Sequence, residues 1–587
     1  MIKKLAWLLP LLVLSCSSNP GKDAISGMEA PEKKLSGWDG CGQLGAFLLG
    51  PLDRYEDRVD DASKVYQQEQ WLVETADKNA SETRMSAAFT ELQKVTYVPR
   101  VLEATRGFDK AAASIRPGDC DDRARFNRAL GILEATILTK ADVIRKEKEN
   151  QDRQDAMIQQ NNGFRVNVPG ESEPVSRAIY AKTLGAEPDR TKREALFRGY
   201  NAARANQWLA WGFRDLIKAR NEEAKAAGYP DYYAYRFFRN QLDLSNYREM
   251  VGDLKTKLAP KLRRIIQEWG KQAGIQKVEP WDMRFLRDHA ASGEVNELLT
   301  SVPATSPLDF AHRFYSGLGI SIDDYHFLMD LYPRPGKNTH AFAMGIVFPH
   351  TDRRGTLLPE PKPDIRFLAN LRKPVKWDDI STVIHELGHA VHSAEVRQPV
   401  GLFRGIGSVE TEAIAMTFER MAASKEFLKV VLENIPKVTK RKTGTILAKQ
   451  EEATRIEQAM ILMRQVFFSD FEYEMYRNPD ADFAALWSKM HEEYWGVAID
   501  PKLADWDVEH YLMAPVYVQN YAIGILMVEQ LYASMLADFN TSYQSKRLGE
   551  KLKKVYFAPG EEFDYLALTQ HFSGKPLSAE SALKLVP

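Results

Sequence analysis

Apolar residues recur at three- and four-residue spacing, interleaved with charges, through residues 51–79, 121–150, 174–228, 246–274 and 445–478. That periodicity commits most of the chain to amphipathic helices. Runs alternating with period two are few, and no short repeat recurs. The texture breaks in residues 332–376, which are studded with proline and glycine. This stretch holds two segments that read as strands, HAFAMGIVF and IRFLANL. No linker composition interrupts residues 40–587, so residues 39–587 read as one large, mainly α, two-lobed domain with a small β insert.

Immediately after the insert comes STVIHELGHAVHSA, residues 381–394. Residues 379–394 are expected to be helical, capped by Asp378, Asp379 or Ser381, with Ile380, Val383, Ile384, Leu387 and Val391 as the apolar face. Positions i and i+4 share one side of a helix, so His385 and His389 can each turn a ring nitrogen to one ion. Glu386 sits one residue round, where it can reach a water on that ion without being a ligand. The positions adjoining the motif are uncharged, unlike a solvated helix face.

A catalytic zinc needs a third protein ligand and one open position. A metzincin would place histidine at 395 and glycine at 392, but these are Glu395 and His392. A thermolysin-type site would place glutamate near 409, which is Val409. The loop RQPVGLFRGIGS then leads into a second helical run, VETEAIAMTFERMAA, in which both Glu410 and Glu412 offer carboxylates.

HELGHAVH followed after a glycine-containing loop by TEAIAMTFE resembles two families of gluzincins. These are the angiotensin-converting-enzyme family and, as a close second, the thimet oligopeptidase and oligoendopeptidase family. In both, a glutamate on the next helix is the third ligand of a single Zn2+, and both alignments choose Glu412 over Glu410. The resemblance implies a helical peptidase with a deep substrate channel. The segment WDVEHYLMAPVYVQNYAIG, residues 506–524, resembles the part of these families that stabilises the oxyanion. His510 and Tyr521 would be the donors, with Tyr517 near the carbonyl or the C-terminal end of the substrate. THAFAMG, residues 339–345, resembles an edge strand that pairs with the peptide backbone, so His340, Ala341 and Ala343 are candidate substrate-binding positions.

Some positions depart from the converting-enzyme pattern. Its carboxylate-anchoring lysine is replaced by Val508, its glutamine falls near Met283, and a supporting aspartate is Met416. These losses set internal cleavage of oligopeptides beside release of C-terminal dipeptides as the expected activity. The alternative is a catalytically idle surface protein that binds peptides or a partner on the same fold.

The N-terminus sets the expected location. MIKK, an apolar run too short to span a bilayer, and LSC resemble a bacterial lipoprotein signal over residues 1–15, with Cys16 as the lipidated residue. Residues 16–38 read as a flexible tether, which would hold a monomeric enzyme at the cell envelope, facing periplasm or exterior. With Cys16 acylated, Cys41 and Cys120 remain, and an oxidising compartment favours a bond between them over two free thiols. The 79 basic and 80 acidic side chains offer no electrostatic reason to expect nucleic acid.

Overall fold

The computed structural model describes residues 28–587 except 30, 32–33, 169–172, 205, 291–298, 300–301, 304, 436–439 and 542. The expected lipoprotein signal, residues 1–15, and Cys16 lie outside the described residues. The helices that bear on the site are, in chain order, α1 (Gly37–Phe47), α2 (Asp53–Glu74), α3 (Pro280–Ala290), α4 (Trp377–Ala394), α5 (Ser408–Ala422), α6 (Lys440–Arg477), α7 (Glu509–Met513) and α8 (Val518–Phe539). Strands β1 (Leu328–Asp330), β2 (Phe342–Val347) and β3 (Asp364–Leu368) precede α4. The chain is mainly helical with a small sheet, as the periodicity requires.

The sheet runs in the order β1-β3-β2. β1 lies parallel to β3, and β2 pairs antiparallel with it, Ala343 opposite Phe367 and Gly345 opposite Ile365. β2 is therefore an outer strand, shorter than the expected HAFAMGIVF, with His340 and Ala341 just ahead of it. The end of α2 lies against it. Trp71 meets Phe342 edge to face at 6.0 Å, and the Asn338 N–H donates to the Glu74 carbonyl at 2.8 Å.

Two large apolar cores flank the helices that carry the candidate site. On α5, Val409 and Ala413 pack into one core, and Ile414, Phe418 and Met421 into the other. On α8, Ile523 and Leu526 belong to the first core, Leu531 and Met535 to the second. Helix α8 is long and apolar enough to cross a bilayer, but protein covers it from Ala522 through Tyr532. Each fully buried aliphatic side chain contributes roughly 1.5–3 kcal/mol, so both helices are fixed from two sides.

A third, N-terminal core corrects one expectation. Met28 and Leu35, inside the expected tether, are buried in it beside Phe47, Phe126 and Phe403. The Leu35 N–H also donates to the Ala111 carbonyl at 2.9 Å. These two apolar side chains dock the described part of this polar stretch. Cys41 on α1 and Cys120 form a disulfide across 79 residues of chain. Closing a loop of that length in the unfolded chain removes entropy worth about 4.5 kcal/mol.

Candidate metal centre and active site

Helix α4 begins where Asp379 accepts the Lys376 N–H at 2.8 Å, two residues ahead of the expected start. Its predicted apolar residues Ile380, Val383, Ile384, Leu387 and Val391 are all fully buried. Within the HELGH run, Gly388 has a packing role. A Cβ there would lie 2.8 Å from the Phe418 ring and 3.2 Å from the Ala415 Cα. The missing side chain lets α5 approach α4 closely enough for a carboxylate on one to meet the histidines on the other.

The loop between the two helices is pinned from far away. Gly401 N–H donates to Asp53 at 2.7 Å, and Arg404 reaches Asp53, Asp57 and Asp60 of α2 at 3.2–3.3 Å. With the loop so held, the Nε2 atoms of His385 and His389 lie 3.0 Å apart. Glu412 oxygens stand 3.8 Å from His385 Nε2 and 3.9 Å from His389 Nε2. One donor atom from each residue lies within 4.8 Å of the others. Ligand bonds of about 2.0–2.1 Å in a tetrahedron separate the donors by roughly 3.4 Å. The residues present therefore fit a zinc ion with three protein ligands.

The other ring nitrogens have partners that fix the rings. His389 Nδ1 shares a hydrogen bond with Thr411 Oγ1 at 2.8 Å. His385 Nδ1 faces Glu419 at 3.4 Å, and Glu419 is itself bonded by Ser381 Oγ at 3.2 Å. Such outer partners orient imidazoles toward a metal. Burial, then the neighbouring His385, keeps His389 neutral, the form in which imidazole binds metal. Burial opposes charge on His385 too, but Glu419 and then Glu386 overrule it and hold its proton up to about 10. Glu410 takes no part in the triangle. Its carboxylate turns back toward Gly407 at the start of α5, while its carbonyl accepts from Tyr556 at 2.8 Å.

Glu386 is 7% exposed. Burial pushes its carboxyl up to about 7, with His385 opposing, Glu412 and Glu419 adding, and the Ala343 backbone N–H opposing. Thus β2 touches the site through Ala343. Ala341 is half-buried, and His340 is exposed with its N–H on the Asn338 side chain.

His510 on α7 and Tyr521 on α8 meet edge to face at 5.9 Å, and Tyr517 meets Tyr521 at 5.4 Å. Burial first, and the Glu412 carboxylate among the other causes, keep both phenols protonated. Burial likewise lowers the proton affinity of His510. Tyr517 and Tyr521 thus lie within electrostatic reach of Glu412 of the triangle, with His510 against Tyr521.

What aims them is a kink at Val516, whose φ is +54°, a conformation that β-branched residues avoid. The Val516 N–H donates to Glu472 on α6 at 2.8 Å. Its carbonyl accepts from Gln519 at 2.5 Å and Asn240 at 3.2 Å. Upstream, Arg220 holds the Tyr511 carbonyl at 3.0 Å and Gln154 the Met513 carbonyl at 3.3 Å. Sequence reasoning did not find Glu472. Its only signal was a carboxylate, one of three, in the largely apolar run VFFSDFEYEMY.

Fold and site together define a chain of the metallopeptidase class. It belongs to Peptidase family M3, which it matches over residues 183–306 and 324–585. The matching family is the second of the two resemblances, the thimet oligopeptidase one. Its relatives include a thimet-like oligopeptidase of Dictyostelium discoideum, 23% identical over 50% of this chain and 45% of that protein. Saccharolysin of Saccharomyces cerevisiae is 21% identical over 68% of this chain and 64% of its own length. A dipeptidyl carboxypeptidase of Escherichia coli is 23% identical over 40% of each. The chain thus spans between 40% and 64% of the length of these relatives.

Proposed function

We propose that this chain is a zinc peptidase that hydrolyses oligopeptides outside the cytoplasm, held to a membrane by a lipid on Cys16. The observation that carries the reading is the His385–His389–Glu412 triangle with Glu386, which is not among its donors, buried beside it. Zinc in that triangle supplies Lewis acidity toward a water and the substrate carbonyl. Glu386 takes the proton of the attacking water and returns it to the leaving amine nitrogen, a task suited to a carboxyl near 7. His510 and Tyr521 donate hydrogen bonds to the developing oxyanion. Residues Ala341 to Ala343 offer backbone groups to an extended peptide, with His340 and Tyr517 at its flanks. The leader pattern supports the location, and the Cys41–Cys120 bond suits an oxidising compartment.

The test is a mixed library of short peptides incubated with the zinc-loaded chain and read by mass spectrometry. Internal cuts or uniform loss of two C-terminal residues is expected, abolished by a chelator and restored by zinc. A zinc-loaded chain that cleaves nothing overturns the reading.

The Val516 kink adds a second expected result. Glu472→Leu leaves the Val516 N–H without an acceptor and lets the kink relax, displacing Tyr517 and Tyr521. Turnover falls roughly tenfold to a hundredfold at unchanged zinc content. Glu472→Gln keeps an acceptor oxygen and restores most of the rate. Equal rates in the two variants would show that the clamp does not aim the tyrosines.

A further inference from the structure

Arg464 on α6 is a half-buried cation without a bonded anion. Its Nε is buried with no hydrogen-bond partner, and no ion pair to a described carboxylate holds its guanidinium. An arginine that serves the fold looks different here: the fully buried Arg220 bonds the Tyr511 carbonyl, Tyr476 and Gln154. Arg464 faces two further cations, Arg284 and Arg287 of α3, and the single carboxylate of Asp288. Asp288 is already engaged, bonded by Arg287 at 2.8 and 3.0 Å and approached by Arg284 at 3.6 Å. The Arg284 Nε is also buried without a hydrogen bond. Glu457, two turns earlier on α6, is set against Asp378, Arg287, Asp288 and Glu419.

A half-buried guanidinium with no bonded counter-charge is unfavourable, and like charges beside it make it more so. Burial, then Arg287 and Arg284, pull the proton affinity of Arg464 down to about 10, with Asp288 opposing. The cluster also borders the candidate catalytic residues, because Arg464 acts electrostatically on His510. An anion arriving with the substrate would relieve the imbalance. A planar guanidinium matches a carboxylate with two parallel hydrogen bonds.

We propose that Arg464, backed by Arg284 and Arg287, is a subsite for a carboxylate of the bound peptide, either its C-terminus or an acidic side chain. The proposal rests on the peptidase reading above. It supplies an anchor on residues other than Val508, which is buried in the first core, and Met283, which packs against that core.

The test is calorimetric binding of matched hexapeptides to the zinc-loaded Glu386→Gln chain. One pair differs in a C-terminal acid or amide, the other in an internal Glu or Gln. The carboxylate form of at least one pair is expected to bind about tenfold more tightly or better. Arg464→Met brings that ratio near one, and Arg464→Lys keeps part of it. Zinc content and circular dichroism certify each variant. Equal binding within both pairs, a ratio that survives Arg464→Met, or no peptide binding at all overturns the subsite. A parent chain that cleaves no peptide defeats the peptidase reading, while these affinities still decide the anchor. Which pair responds tells the C-terminal carboxylate from a side chain.

Discussion

Replacing Glu386 with glutamine abolishes peptide hydrolysis and leaves one zinc bound. The drop in kcat is expected to be on the order of 10³- to 10⁴-fold, near the upper end of what a positioned general base supplies. Geometry separates this residue from the ligands: the close donor atoms belong to His385, His389 and Glu412. Glutamine has the same shape and keeps an oxygen to accept the Ala343 N–H, so β2 and α4 remain in contact. What is lost is the proton traffic. A carboxyl held near 7 by burial can both accept and return a proton at neutral pH, and an amide can do neither. Measuring kcat on a fluorogenic peptide alongside zinc per chain separates the two effects. A Glu386→Gln chain that turns over peptide at the parent rate removes the mechanism proposed here.

The part of this site written locally was legible, and the part assembled from distant segments was not. His385, Glu386 and His389 are fixed by one helical turn, so spacing alone places them. Glu412 needed more, because the residues do not say how the 397–407 loop folds back. That loop is set by Asp53 and Arg404, about 350 positions apart, and by Gly388, whose glycine identity matters only once α5 is against it. The same holds for the Tyr517–Tyr521 pair. Its segment was recognisable by resemblance, but its aim depends on Val516 and on Glu472 and Gln154 from two other helices and Asn240 from a turn. Glu472, one of three carboxylates in that run, carries no mark of the backbone N–H it will meet.

The fold shows the same division. Helical periodicity and the proline- and glycine-rich break at 332–376 were enough for a mainly α chain with a small sheet. The strands came out shorter than their apolar runs, since pairing with β3 ends at Leu368 and Phe342. The docking of Met28 and Leu35 went unseen because two apolar residues in a polar stretch have no period. Only the pocket among Phe47, Phe126 and Phe403 gives them somewhere to go.

The largest effect on metal content is expected from Glu412, two residues from a second glutamate on the same helix. Glu412→Ala leaves two histidines, which cannot complete a three-ligand site. Zinc affinity is expected to fall by three orders of magnitude or more, beyond the 10- to 100-fold typical for losing an outer partner. After dialysis the variant retains well under one tenth of an equivalent, and hydrolysis disappears with it. Glu410→Gln is the control. Its carboxyl is raised to about 7, by burial first, so a neutral amide costs the buried site little, and its carboxylate faces Gly407 rather than the triangle. That variant keeps one equivalent of zinc. Residues 410 and 412 point some 200° apart around a helix, so the two results should separate cleanly by atomic absorption. A Glu412→Ala chain that stays stoichiometric in zinc while Glu410→Gln loses it would move the third ligand by half a turn, and would show that the loop pinned by Arg404 closes differently when the metal is bound.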